Sequence, residues 1–422
     1  MNSKRLTDYL KRNGAGKTAY AALQHLKDMR SDTSYNRRVH AGEEEVSSPD
    51  IPPECRPLIS ILVPVYRPIE SHFRQMLRSV KAQTYDNYEL ILAEGGGISD
   101  NTNAALSEAK GEYIALLDQD DILHRDALKE AVLAISRGAR MVYTDEDKYE
   151  ETKDRYLRAY RKRDFDMELL LSNNYICHFL VIEKQLVLDA GGFRKEYDGA
   201  QDHDLILRCA ERTERDRIAH VKRVLYHWRI HEHSTAGDPG AKDYAHDAGR
   251  RAIEDHLKRM GLSGTVKETE HRGFYRVEYD LPEGIAPEDG AVIHRMHLGE
   301  GIRFKDPKDL LRMAAFMEAN KDVGALGGRV VDRLGRVVAS SYDMDEHGRL
   351  KPLFHGMRNG MPGEFNIASQ RLEVAAVSPK CMMLRPELED LYCDDPGSMC
   401  QAIRSRGYRI VTDPCMVFIK DR

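Results

Sequence analysis

From Leu58 onward, apolar runs and amphipathic stretches alternate in a regular order. Residues 58–65 (Leu-Ile-Ser-Ile-Leu-Val-Pro-Val) form a β-rich apolar run, and a proline at position 64 fits a strand's end better than its middle. Phe73, Leu77 and Val80 then recur at helical spacing. The pattern continues with a strand over 88–93, a helix over 101–109, a strand over 113–117 and a helix marked by Leu128, Val132 and Ile135. A fourth strand over 141–143 ends at the acidic residues 144–147. Strand and helix alternating at this spacing predict a mostly parallel sheet covered by helices on both faces. Farther on, Gly191-Gly192-Phe193 turns the chain toward an amphipathic helix opened by Gln201-Asp202-His203-Asp204, with Leu205, Ile206 and Cys209 on its apolar side.

One stretch stands out within that order. Residues 113–121 (Tyr-Ile-Ala-Leu-Leu-Asp-Gln-Asp-Asp) run from a buried strand straight into three acids out of four residues. Ligands of open α/β sheets bind at the carboxyl ends of strands. Asp118 and Asp120, at spacing two, suit a hard cation such as Mg²⁺ or Mn²⁺ shared with substrate phosphates. They equally suit a solvated acidic loop. The glycine run Gly95-Gly96-Gly97 after Glu94 is followed by no Gly-Lys-Ser/Thr, and it is no G-x-G-x-x-G fingerprint. A nucleotide's phosphates would therefore need another source of positive charge, and a metal on Asp120 is the candidate.

Composition narrows the class. The 422 residues suffice for two or three domains, and 41% hydrophobic with 32% charged residues describes an ordinary soluble protein. Seven scattered cysteines without a C-x-x-C pair predict reduced thiols rather than a disulfide framework or a zinc site. No apolar stretch reaches the length of a membrane span, and the expected location is the cytoplasm. The net charge of −5 is uneven: residues 1–40 carry nine Lys/Arg against three Asp, so this leader is +6 and the remainder −11. Leu6, Leu10, Tyr20, Leu23 and Leu26 give the leader a moderately amphipathic helical pattern. Its expected role is packing onto the main domain, with peripheral contact to the inner face of a membrane as the alternative. Residues 41–57 read as a linker.

Several motifs in order, Ile61-Leu62-Val63-Pro64-Val65-Tyr66, Gln83-Thr84-Tyr85, 116–121, Gly191-Gly192-Phe193, Gln201 to Leu205 and Leu225-Tyr226-His227-Trp228-Arg229, resemble an inverting family 2 glycosyltransferase of the GT-A fold. The resemblance covers residues 57 to about 236. It implies a Rossmann-like α/β domain, a nucleotide-diphosphate sugar as donor (UDP or dTDP), Mn²⁺ or Mg²⁺ as cofactor and a glycan or lipid-linked acceptor. No nucleic-acid partner is implied. Position by position, Pro64, Val65 and Tyr66 would line the base and ribose pocket. Glu94 would contact the base where the family usually has Asp, Asp118 would contact the ribose, and Asp120 would ligate the metal with His231. Asp145, Asn174, Gln201, Trp228 and Arg229 would touch the donor sugar or acceptor. Asp202 stands at the base position of the family's Glu-Asp pair. Its other reading is an acid in the first turn of a helix, stabilised by the macrodipole. Transfer by single displacement needs one carboxylate to accept the acceptor's proton, and no second acid to protonate the leaving group.

Beyond a helix over 243–260 closed by Gly261 and a strand over 274–281, the pattern repeats. Residues 290–297 parallel 111–118, 309–318 parallel the helix after Arg125, 323–326 parallel 139–143, and 393–404 take the place of the Asp202 helix. The first two strand–helix units have no counterpart, and His294 and His297 stand where the acids would be. This resembles the second unit of tandem glycosyltransferases, reduced to a truncated α/β remnant. The expected organisation is a basic helical segment and linker over 1–56, a GT-A catalytic domain over 57–262 and a degenerate glycosyltransferase-like domain over 263–422. Two function classes stay open: an enzyme of bacterial surface polysaccharide synthesis, or a binding or assembly subunit that keeps the fold. A nucleotidyltransferase is a third, for which Arg67 alone speaks.

Overall fold

The computed structural model describes residues 3–45, 47–230, 241–281 and 294–421. The chain forms two compact units, Met1–Phe165 with Asn174–His256, and Asp166–Asn173 with Leu257–Arg422.

In the first unit, helix α1 (Ser3–His40) precedes the alternation. Then come β1 (Ile59–Pro64), α2 (Glu70–Lys81), β2 (Tyr88–Ala93), α3 (Ile98–Glu108), β3 (Tyr113–Leu116), β4 (Ile122–Leu123), α4 (Ala127–Ile135), β5 (Met141–Glu150) and β6 (Arg155–Tyr160). A short α5 (Met167–Leu170) belongs to the second unit, after which the first resumes with β7 (Leu180–Glu183), α6 (Lys184–Asp189), α7 (Gln201–Ala210), β8 (Ile218–Arg229) and most of α8 (Ala241–Arg259). Eight strands make one sheet in the order β2-β1-β3-β7-β5-β8-β4, with β6 on β5. β1, β2, β3, β5 and β8 run in one direction, and β7 lies antiparallel between β3 and β5. The mostly parallel α/β sheet expected from the alternation is present.

Its core follows from the sequence pattern. Ile59, Ile61 and Val63 of β1, Met76 and Val80 of α2, and Leu128, Val132 and Ile135 of α4 share one buried cluster, against which Phe73 and Leu77 pack. β1 and β3 approach closely because position 111 is glycine; a Cβ there would meet Leu58 O and Ser60 Oγ at 2.6 Å.

Two local expectations are corrected. The strand expected over 141–143 continues to Glu150, so Asp145, Glu146 and Asp147 are buried strand residues rather than a loop. Lys162, His220, His227 and Tyr35 supply the partners that make those buried carboxylates tolerable. The leader is helical and packs onto the main domain as expected, but Leu23 and Leu26 are exposed. The helix docks through polar groups instead: Asp32 and Asn36 accept the backbone N–H groups of Arg158 and Tyr156 on β6, and Tyr35 is buried. An unpaired edge is thereby capped.

The second unit comprises α5, the hairpin β9 (Gly264–Glu268) and β10 (Tyr275–Tyr279), and a sheet with its covering elements. In chain order these are β11 (Arg295–Leu298), β12 (Ile302–Phe304), α9 (Asp309–Ala319), β13 (Val323–Val331), β14 (Val337–Ala339), β15 (Ser341–Met344), β16 (Leu350–Pro352), β17 (Leu372–Glu373), β18 (Ala376–Val377), β19 (Cys381–Leu384), α10 (Pro396–Ser405) and β20 (Arg409–Lys420). The main sheet has the order β11-β19-β13-β20-β12. Pair by pair, it repeats β3-β7-β5-β8-β4: antiparallel, antiparallel, parallel, antiparallel. β14 sits on β13 as β6 sits on β5. Helices α9 and α10 occupy the chain positions of α4 and α7. Among the described residues nothing stands for β1 or β2. Residues 290–293 of the expected repeat strand lie outside the described residues.

Candidate functional site

β3 delivers Leu117 and Asp118 to the lining of a cavity of about 380 Å³, and the rest of the acid loop, Gln119 to Asp121, follows them in the chain. Asp118 lines that cavity together with Pro64, His178, Gln201, Asp202 and Trp228. The acid loop is fixed from behind. Asp121 is buried, its Oδ1 accepting the Arg229 N–H at 2.8 Å and its Oδ2 the Tyr226 hydroxyl at 2.5 Å. Burial, with Asp118 and Asp120 adding to it, pushes the Asp121 carboxyl well above the usual carboxylate range. Arg229 Nε donates to the carbonyl of Asp120 at 2.6 Å, and the guanidinium pairs with Gln75 and Glu151. Asp121, Tyr226 and Arg229 thus form a buried mount, leaving Asp118 and Asp120 half-exposed at its tip.

Across the cavity, Asp202 stands in the first turn of α7. Its Oδ2 accepts from Asn174 Nδ2 at 2.8 Å and its Oδ1 from the His203 N–H at 2.9 Å. The neighbouring Asp204 differs: it is fully buried and clamped by Arg208 and Arg194. Two acids of one helical turn are therefore divided between packing and the cavity. Between Asp118 and Asp202 lies His178, stacked on Tyr226 with centroids 4.6 Å apart, its Nε2 3.4 Å from Asp118 Oδ2. Burial opposes charge on this imidazole, but the neighbouring Cys177 sulfur, then Asp118 and Glu146, outweigh it and carry its pKa above the ordinary range. Lys162 and His178 likewise overcome burial to hold Glu146 at about 2. Burial pushes the Cys177 thiol, 3.7 Å from Asp202 Oδ2, up to about 11, so it is neutral there.

Of the expected contacts, Pro64, Asp118, Gln201, Asp202 and Trp228 come together around one cavity, and Asn174 holds Asp202 from its side. Val65 is buried, with its N–H on Ala93 O and its carbonyl accepting from Asn101. Tyr66 is 64% exposed, and Glu94 is exposed at the end of β2. Two expectations are corrected. Arg229 is 1% exposed, its guanidinium turned to the Asp120 carbonyl, Gln75 and Glu151. Asp145 is equally buried, paired with His220 at 2.9 Å and the Lys162 N–H at 2.8 Å. Neither side chain is available to a sugar. His231 lies outside the described residues.

Sequence reasoning passed over Gln119, whose amide donates to Tyr66 O at 2.9 Å and accepts from Tyr66 N at 2.8 Å, tying the β1 loop to the acid loop. Its place between the two spaced acids was the available signal. Nothing local marked Tyr244 of α8, which also reaches the cavity. Two half-exposed carboxylates at a strand tip are the hard oxygen donors a Mg²⁺ or Mn²⁺ ion takes. Among the described residues, the group whose three ligand atoms lie within 4.8 Å of one another is elsewhere, at Glu45, His124 and Asp126.

Comparison with known proteins matches residues 92–188 to Glycosyl transferase family 2. The chain is 41% identical over 234 residues to an uncharacterized protein of Sinorhizobium fredii, covering 48% of this chain and 26% of that protein. It is 31% identical over 288 residues to the O-antigen biosynthesis protein RfbC of Myxococcus xanthus, covering 61% and 21%. The chain thus spans about a quarter or less of these relatives' own length. Among solved structures, Staphylococcus aureus TarS 1-349 with UDP-GlcNAc is similar at TM-score 0.39 and 16% identity, over 47% of this chain and 66% of that one. The mannosyltransferase PcManGT of Pyrobaculum calidifontis with GDP-Man and Mn²⁺ follows at TM-score 0.34 and 15% identity, over 58% and 85%. The acid loop, Asn174 and His178 fall inside the segment, residues 92–188, that matches Glycosyl transferase family 2.

Proposed function

We propose that this chain transfers a sugar, with inversion, from a nucleotide-diphosphate donor to a glycan or lipid-linked acceptor in the synthesis of a bacterial surface polysaccharide. The observation that carries the reading is one cavity bounded by Asp118 on the acid loop and Asp202 on α7. Asp118, Pro64 and Tyr66 would receive the nucleoside, for which UDP and dTDP are the first candidates. Asp120, with His231, would hold Mn²⁺ or Mg²⁺, which when bound supplies Lewis-acid stabilisation of the leaving diphosphate. Asp202 takes the proton from the acceptor hydroxyl as that oxygen bonds to the anomeric carbon. The bond to the diphosphate breaks, and its electron pair leaves with the phosphate oxygen. Asn174 and the His203 N–H, each donating to one oxygen of Asp202, orient that carboxylate. Trp228 offers an apolar wall for a sugar ring.

Peripheral membrane contact at the cytoplasmic face is part of the proposal. α1 exposes Leu23, Leu26 and Met29 beside Lys27 and Arg30, a combination suited to an anionic lipid surface. No helix among the described residues is long and apolar enough to cross a membrane. The deciding experiment is a panel of UDP-, dTDP- and GDP-sugars assayed for nucleotide release with and without Mn²⁺ or Mg²⁺. Release from one donor, dependent on the cation, is expected. Donor binding without release in any condition would favour a binding or assembly subunit.

A further inference from the structure

The wall of the cavity that carries Trp228 is built from two adjoining strands whose register is irregular. β5 and β8 pair in parallel, with shifts between Thr144 and Asp145 and again between Asp145 and Glu146. Such bulges re-aim side chains and remove the continuous ladder that would otherwise hold register. Immediately past them come four rungs, of which the first three are Glu146 with Tyr226, Asp147 with His227 and Lys148 with Trp228, before Tyr149 with Arg229. The first and third serve the site. Glu146 faces His178, Tyr226 bonds Asp121, and Lys148 Nζ lies 4.5 Å from the Trp228 ring centroid. Alternation along a strand turns the middle rung to the opposite face.

That middle rung is closed by the leader helix. Asp147 is 1% exposed; its Oδ1 takes His227 Nδ1 at 2.7 Å and its Oδ2 the Tyr35 hydroxyl at 2.7 Å. Tyr35 itself is 4% exposed. The ring of Tyr156 on β6 meets His227 edge-on at 4.9 Å. A buried carboxylate with one partner from each side admits few alternative arrangements. α1 is also held to β6 by Asp32, Asn36 and the His40 ring on Tyr156, none of which bonds β8.

We propose that Tyr35 is a positioning residue: by closing the Asp147–His227 rung, α1 fixes the register of β5 against β8 and so the placement of Trp228 and the Tyr226–Asp121 mount in the cavity. The proposal rests on the glycosyl-transfer reading only for its effect on rate. Its structural half is read directly from Trp228, the single tryptophan of the chain.

The test uses the full-length chain with Tyr35→Phe, which deletes one hydroxyl, and with Asp32→Ala as a control that weakens α1 docking on β6 alone. In Tyr35→Phe, Trp228 emission shifts to the red and iodide quenches it more readily. kcat/KM falls about 10- to 100-fold, the scale of loss for slightly misplaced groups. Asp32→Ala lowers the melting temperature but leaves Trp228 emission as in the parent. His227→Gln, at the other end of the rung, reproduces the emission change and decides the matter if Tyr35→Phe does not fold. Unchanged emission and quenching in the folded rung variants, or an equal shift in Asp32→Ala, would overturn the proposal. A shifted emission in a chain that releases nucleotide from no donor would instead count against the glycosyl-transfer reading alone.

Discussion

Two sheets in this chain share one plan and differ at their tips. β3-β7-β5-β8-β4 and β11-β19-β13-β20-β12 have the same order and the same sense at every pairing. In the first unit the turn between β3 and β4 is Leu-Asp-Gln-Asp-Asp; in the second the turn between β11 and β12 is Gly-Glu-Gly. α7 opens with Asp202 and Asp204, whereas α10 opens with Pro396-Gly397 and is capped by Asp395, whose Oδ2 accepts the Ser398 N–H at 2.7 Å. β1, which brings Pro64 to the first site, and its neighbour β2 have no equivalent among the described residues of the second unit. Apolar alternation suffices to preserve a sheet, while chemistry depends on a few tip residues and can be lost without disturbing the core.

The largest effect that would sharpen this contrast is at Asp202. Asp202→Asn is expected to cut transfer by at least ~100-fold, the low end for loss of a general base, with donor affinity near the parent's. Turnover within a few-fold of the parent would make Asp202 a helix acid only, like the Asp395 that caps α10.

The second unit is expected to answer through stability instead. Asp413 is fully buried between Arg276 at 2.8 Å and Arg371 at 3.1 Å. Replacing it with Ala leaves both guanidinium groups without their carboxylate, a loss of about 3–5 kcal/mol for a broken buried pair. Denaturant unfolding should show that loss while nucleotide affinity stays as it was. A variant that unfolds like the parent would mean the pair contributes nothing net.

A smaller effect concerns pH. His220 of the first unit is nearly enclosed; burial opposes its charge, but Asp145 at 2.9 Å and Asp164 at 3.1 Å outweigh burial and raise its pKa above the ordinary range. A raised folded-state value stabilises below the unfolded pKa of about 6.5 and loses that contribution as pH rises through the folded value. His220→Asn should therefore flatten the fall in stability above about pH 6.5, measured as melting temperature against pH. A parallel curve, merely displaced, would exclude this cause.

Strand and helix order was readable because each element's period is local, as at Phe73, Leu77 and Val80 or at Asp309 to Glu318. The repeated unit was legible for the same reason. What stayed hidden depends on partners far along the chain. Asp145 to Asp147 look like a polar loop until Lys162, His220, His227 and Tyr35 bury and pair them. Arg229 looks like a contact for the donor sugar or acceptor until Asp120, Gln75 and Glu151 claim its donors. Leu23 and Leu26 suggest a packing face, yet polar Asp32 and Asn36 do the docking because β6 presents bare N–H groups. The glycine run and Gln119 were visible, but only the fold gives Gln119 the backbone of Tyr66 to hold.

The two histidines that stand for the acids in the second unit allow the most direct test. His294 is buried against Glu318 at 2.9 Å, and His297 stacks on Tyr392 at 3.8 Å with Glu389 3.2 Å away, so each already has its own separate partner. Calorimetric titration with the nucleotide sugar selected by the donor panel, in the presence of Mn²⁺, should give one nucleotide per chain. Asp120→Ala should abolish that binding, and double substitution of His294 and His297 by Ala should leave affinity, stoichiometry and metal dependence unchanged. Two nucleotides per chain, one of them lost with the histidines, or binding indifferent to Asp120, would contradict a single site on the first sheet.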